Sequence, residues 1–123
     1  MRRIAMLALA MTMAGCSGDL TGPFGSVAGT YMLERINGDR LPYTFSNGVT
    51  LVSDELTLFR DGTYEDVSRY SSGSPRVERG NYDEDDGALF LQPEFSNEEY
   101  QGSVSGRGLT LFVNGFTQTF ERR

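Results

Sequence analysis

Turn dipeptides punctuate this chain from Val27 onward and leave room for little but short strands. Asn37-Gly38, Asn47-Gly48, Asp61-Gly62 and Asn114-Gly115 each close a short run, and Asp83-Glu84-Asp85-Asp86-Gly87 and Gly106-Arg107-Gly108 do the same over more residues. Turn signals every ~8–12 residues are the pattern of an all-β sandwich or barrel. Asn-Gly and Asp-Gly suit two-residue hairpins because both central residues take positive φ there. No window after Val27 carries the 3.6-residue apolar period of an amphipathic helix.

The runs between the turns give the strands: residues 29–36, a short piece at 43–46, a long or bulged strand over 49–60 broken near Ser53-Asp54, then 63–70, 76–82, 88–92, 98–105, 109–113 and 116–121. Ser71-Ser72-Gly73-Ser74-Pro75 is the most loop-like stretch, either a binding loop or a bare connection. Alternation places Leu56 with Leu58, Leu89 with Leu91, and Tyr100 with Val104 on inward faces. Leu109, Leu111 and Val113 share a fourth such face, and Phe116, Gln118 and Phe120 a fifth. Phe59, Phe90 and Phe112 fall on the outer side. About eight strands joined mostly by tight turns predict an antiparallel up-and-down meander, and closing it into a barrel removes the exposed edges. An eight-stranded barrel is just wide enough to be filled by side chains or to hold one small ligand. Tyr, Phe and Leu are expected to fill this one rather than leave a large cavity.

Ahead of the barrel stands a different kind of sequence. Arg2 and Arg3 precede an apolar run from Ile4 to Met13, and Ala14-Gly15 lead into Cys16. That is the anatomy of a secretory signal peptide over residues 1–15; a bilayer span would take roughly 20 apolar residues. Met13-Ala14-Gly15-Cys16 resembles the bacterial lipobox, with Met13 where Leu usually stands. The resemblance implies that Cys16, the chain's only cysteine, is the lipid attachment site and first mature residue. It further implies an envelope protein whose membrane contact is its N-terminal lipid anchor. In a two-membrane cell, Ser17 permits sorting to the outer membrane, with the domain facing the periplasm or the exterior. Residues 16–26, rich in Gly, Ser and Pro, read as the lipidated cysteine and a flexible linker reaching at most about 35 Å.

The barrel domain is thus expected over residues 27–123. All 11 basic residues of the chain are Arg, against 17 acids; without Arg2 and Arg3 nine face 17, a net −8. Such a charge disfavours nucleic acid. The absence of His and Lys, with the one Cys expected to be acylated, excludes Ser–His and Cys–His nucleophiles and Schiff-base lysines. It also excludes Cys/His zinc sites. The acidic run from Asn81 to Gly87 fails the calcium-loop register, since position six is Asp86 and position twelve Gln92, so it reads as a solvated hairpin turn. No acid pair is marked for glycoside hydrolysis: Asp54-Glu55 and Glu98-Glu99 are sequence neighbours and point to opposite faces of a strand.

Gly29-Thr30-Tyr31 at the head of the first strand resembles the Gly-x-Trp opening of small bacterial lipocalin-like domains of the calycin group, with Tyr for Trp. Arg122, after the last strand, is similar to the arginine that packs over that ring in the family. Phe59-Arg60-Asp61-Gly62-Thr63-Tyr64 and Gly80-Asn81-Tyr82 are hairpin features common in such domains. The expectation is a non-enzymatic binding module without a cofactor, taking a small apolar ligand or an envelope component. The alternatives are a protein-binding module that inhibits a basic envelope hydrolase, or a purely structural envelope protein.

Overall fold

The structure is a computed structural model and describes residues 27–123. The signal peptide read over residues 1–15, the lipid site at Cys16 and the linker to residue 26 lie outside the described residues. Every regular element described is a strand: β1 (Gly29–Ile36), β2 (Asp39–Arg40), β3 (Tyr43–Thr44), β4 (Thr50–Leu58), β5 (Thr63–Tyr70), β6 (Arg76–Asp85), β7 (Ala88–Pro93), β8 (Tyr100–Ser105), β9 (Gly108–Val113) and β10 (Phe116–Arg122). From β4 to β10 each strand pairs antiparallel with the next. β1 then pairs with β10 on one side and β4 on the other, which closes the eight long strands into an up-and-down barrel. The expected all-β barrel is what the chain forms.

Closure needs the strands to bend, and two bulges supply it. The β4–β5 register skips Val52, and the β1–β10 register skips Glu34. Each extra residue resets the alternation. Leu33 and Ile36 are both buried, as are Leu51 and Asp54, although the members of each pair stand an odd three positions apart. The break expected near Ser53-Asp54 is therefore a bulge one residue earlier, inside a continuous strand.

The turns follow their residues. Asn37, Asp86 and Asn114 take positive φ, each followed by a glycine that does the same, as two-residue hairpins require. The acidic turn is narrower than the sequence suggests. β6 runs on through Asp85, so only Asp86-Gly87 turn, and Glu84 Oε2 accepts the Gly87 N–H at 2.7 Å.

Strand polarity sorts the barrel into two ends. At one, β4 runs into β5 and β8 into β9 through short turns, and Gly29 starts the first strand. Here Tyr31, fully buried, donates its hydroxyl to Val27 O at 2.8 Å, and Tyr82 donates to Phe59 O at 2.6 Å. Arg122 lies over the Tyr31 ring, 5.8 Å from its centroid, and donates to Ala28 O. This is the arrangement that the Gly29-Thr30-Tyr31 and Arg122 resemblance implies. Leu58, Leu89, Val104 and Leu109 fill the space behind. Burial of each such leucine contributes about 1.5–3 kcal/mol. Phe59 and Phe112, 44% and 56% exposed, point outward as alternation predicts. The other end carries the longer connections, at residues 37–49, 71–75 and 94–99.

Candidate functional site

That second end is open. A cavity of about 220 Å³ enters the barrel there, floored by Leu56, Tyr64, Leu91 and Phe120 and rimmed by Phe45, Tyr70 and Phe116. The rim is built by the long β1–β4 connection. Phe45 packs edge-on against Phe116 at 5.3 Å, and Tyr43 packs edge-on against Phe45 at 5.0 Å. Asn37 fastens this connection to β10: its side-chain oxygen accepts the Thr117 N–H at 2.8 Å.

The wall between floor and rim is not the apolar fill that the sequence suggests. It carries three carboxyls, Asp54 from β4, Asp66 from β5 and Glu78 from β6. The strand registers bring them together. Asp66 stands directly opposite Glu78, and Asp54 stands opposite Ser68, one inward position along from Asp66. Ser68 Oγ donates to Asp54 Oδ2 at 3.1 Å. Glu78 accepts two phenols, Tyr64 at 3.2 Å and Tyr100 at 3.4 Å. Among the described residues no N–H or hydroxyl reaches Asp54 Oδ1 or Asp66 Oδ1, and both atoms are shut off from solvent. The one donor at hand is a proton held between the two carboxyls.

The electrostatics agree with a shared proton. Burial pushes the Asp54 carboxyl above its ordinary range, against the hydrogen bonds from Asp66 and Ser68 that lower it. Burial, followed by the adjoining Asp54, holds Asp66 well above that range. Two carboxyls in one low-dielectric site cannot both ionise cheaply, so Asp66 keeps its proton and donates a hydrogen bond with it to Asp54. Burial, then the charge of Glu78, drives the Tyr100 phenol up to about 12, and the same two causes raise Tyr64. Tyr64 and Tyr100 therefore both remain donors to Glu78 at neutral pH.

Of the residues the sequence marks as inward, Leu56, Leu91, Leu111, Val113, Gln118 and Phe120 all line this cavity. Asp54-Glu55 do point to opposite faces, with Glu55 outside in an ion pair with Arg123. The acidic run 83–86 contributes nothing to the cavity. What sequence reasoning missed is the acid pair formed across strands, Asp54 with Asp66. The signal was available: stepping back by two from Leu58 and Leu56 reaches Asp54 on the same face, and Tyr64 leads to Asp66 in the same way. It was masked because β5 and β6 invert the usual pattern, with Val67 and Val77 opposite each other on the outer face while Asp66 and Glu78 face in.

No protein-family model matches the chain, and no curated protein or solved structure matches it either.

Proposed function

We propose that this chain is an envelope lipoprotein, held to a membrane by lipid on Cys16, whose lipocalin-like barrel is a non-enzymatic binding module for one small molecule with an apolar body. The cavity is the observation that carries the reading. At about 220 Å³ it lies below the ~300–1,000 Å³ of pockets for drug-sized ligands, and it opens at one end of an otherwise sealed barrel. The Arg122–Tyr31 stack behind Gly29 supports the lipocalin-like reading, and the Met13-Ala14-Gly15-Cys16 motif supports the lipid anchor. The test is native mass spectrometry on the full chain purified from an envelope extract without denaturation. A reproducible extra mass that leaves on activation is expected; a bare protein in every preparation counts against a bound ligand. For the anchor, Cys16→Ala should leave an unprocessed precursor without an acyl label, and normal maturation of that variant removes the lipoprotein reading.

A further inference from the structure

The chemistry of the lining says more about what such a ligand carries; this step rests on the small-molecule reading above. Carboxyls directly opposite on neighbouring strands repel unless one keeps its proton, yet Asp66 and Glu78 stand opposite each other inside the barrel with Asp54 beside them. Asp54 is only 4% exposed, and among the described residues its Oδ1 has no donor besides the proton shared with Asp66. Removing a buried charge in favour of a well-packed apolar group is often neutral or stabilising, so packing alone gives no reason for three acids here. Both ion pairs among the described residues, Arg79–Glu65 and Arg123–Glu55, lie away from the cavity. Arg76 stands at the mouth, exposed. No group of three or more acids among the described residues is gathered closely enough to hold a metal ion. A fitting ligand must be wide enough to meet carboxyls set apart on three strands.

We propose that the cavity binds a small organic cation, a primary ammonium or a guanidinium on a short apolar body, with its N–H groups on Asp54, Asp66 and Glu78 and its body against Phe45 and Phe116. The cation brings several N–H donors to carboxyls that otherwise have one proton between them, and the aromatic rim favours it further through the ring faces. It also takes the place of the proton held between Asp54 and Asp66. Binding therefore releases a proton, and affinity rises with pH through the range in which the pair would give that proton up. The other charged or titratable groups facing the pair are Arg76 and Glu78 from β6, Tyr64 and Tyr70 from β5, and Tyr100 from β8; β7, β9 and β10 bring none.

The test is calorimetric titration of the full chain with three matched probes: phenethylammonium, phenethyl alcohol and phenylacetate. The ammonium should bind at least about tenfold more tightly than the alcohol, as a charge-assisted hydrogen bond implies. Its affinity should rise from about pH 5 to about pH 8, with proton release seen as a buffer-dependent heat. Asp66→Asn and Glu78→Gln, checked for folding by tyrosine near-ultraviolet dichroism, should each weaken the ammonium about tenfold and leave the alcohol unchanged. If the alcohol binds as tightly as the ammonium, the cation assignment falls and the small-molecule reading stands. Absence of binding by the ammonium at millimolar concentration, or an undiminished affinity in both variants, also overturns the assignment. The small-molecule reading falls separately, on a bare protein in native mass spectrometry.

Discussion

The two ends of this barrel are made of the same strands and obey opposite rules. At the sealed end, Tyr31 and Tyr82 spend their hydroxyls on backbone carbonyls, Arg122 covers a ring, and leucines complete the fill. Every polar atom named there has a partner, as buried groups generally do. At the open end, Asp54 and Asp66 have only a shared proton where other donors are missing, a third carboxyl stands across from Asp66, and aromatics stand around a hole. The contrast teaches that stability and recognition are divided along the barrel axis. One end holds the strands together, and the other keeps polar groups in an arrangement that folding alone would not select.

The contrast is most open to attack through the sealed end. Tyr31→Ala removes a fully buried ring, its hydrogen bond to Val27 and the seat of Arg122, and should cost about 3–5 kcal/mol by urea unfolding. Phe45→Ala at the rim, where the ring is half-buried, should cost no more than about 1.5 kcal/mol. Equal costs would mean that the rim aromatics are core and that the division between ends is false.

Gly80 lies where the two halves meet. A Cβ there would approach Gln92 O at 2.1 Å and the Tyr64 ring at 2.8 Å, so this strand crossing requires glycine. Gly80→Ala should cost about 1–3 kcal/mol, since overpacking forces backbone to move. It should also disturb the cavity, whose floor is Tyr64. A neutral Gly80→Ala would show that the floor yields freely and that the two halves are not mechanically distinct.

Much of this division was legible in the sequence, and the part that was not has a physical cause. Leu56-Leu58, Leu89-Leu91 and Leu109-Leu111 alternate cleanly because their outward neighbours need only tolerate water, so strand faces, turns and closure could all be read. Gly29, Tyr31 and Arg122 could be linked ahead of the structure only through the resemblance to a Gly-x-Trp opening with its covering arginine. The acids could not be read so simply. Asp54, Asp66 and Glu78 are 12 residues apart at each step, and only the barrel registers set them side by side. The Val52 bulge further hides Asp54, because it breaks the parity that links it to Leu51. Alternation alone would have exposed them only if polar residues had been allowed inside.

A smaller effect separates the ends by charge. The raised Asp54 and Asp66 carboxyls mean that the unfolded chain gives up its protons at lower pH than the folded barrel does. Between the ordinary carboxylate range and the raised one, the folded state holds more protons, so stability falls as pH rises through that window. Asp66→Asn should abolish much of this slope and raise stability at neutral pH on the order of 1–2 kcal/mol. Thermal unfolding followed from about pH 4 to about pH 8 tests it. A variant that loses stability at neutral pH would mean that the Asp66 carboxyl is structural, and the open end would lose its special standing.

The smallest expected effect lies outside the barrel on the same two strands that carry the acids. Glu65 and Arg79 stand opposite each other on β5 and β6, one residue along from Asp66 and Glu78, and pair at 2.8 Å on the outer face. Their acid has a cation and water around it, whereas Asp54 and Asp66 have no ion pair among the described residues and each has an oxygen shut off from solvent. An exposed pair of this kind should show a coupling energy below about 1 kcal/mol in a double-mutant cycle of Glu65→Gln and Arg79→Gln. The coupling should fade in molar salt, where screening extends over only about 3 Å. The slope of stability against pH from Asp66 should survive the same salt, because buried charge is screened far less. If salt removed both effects equally, Asp66 would be as wet as Glu65, and inside and outside would not differ in the way the geometry requires.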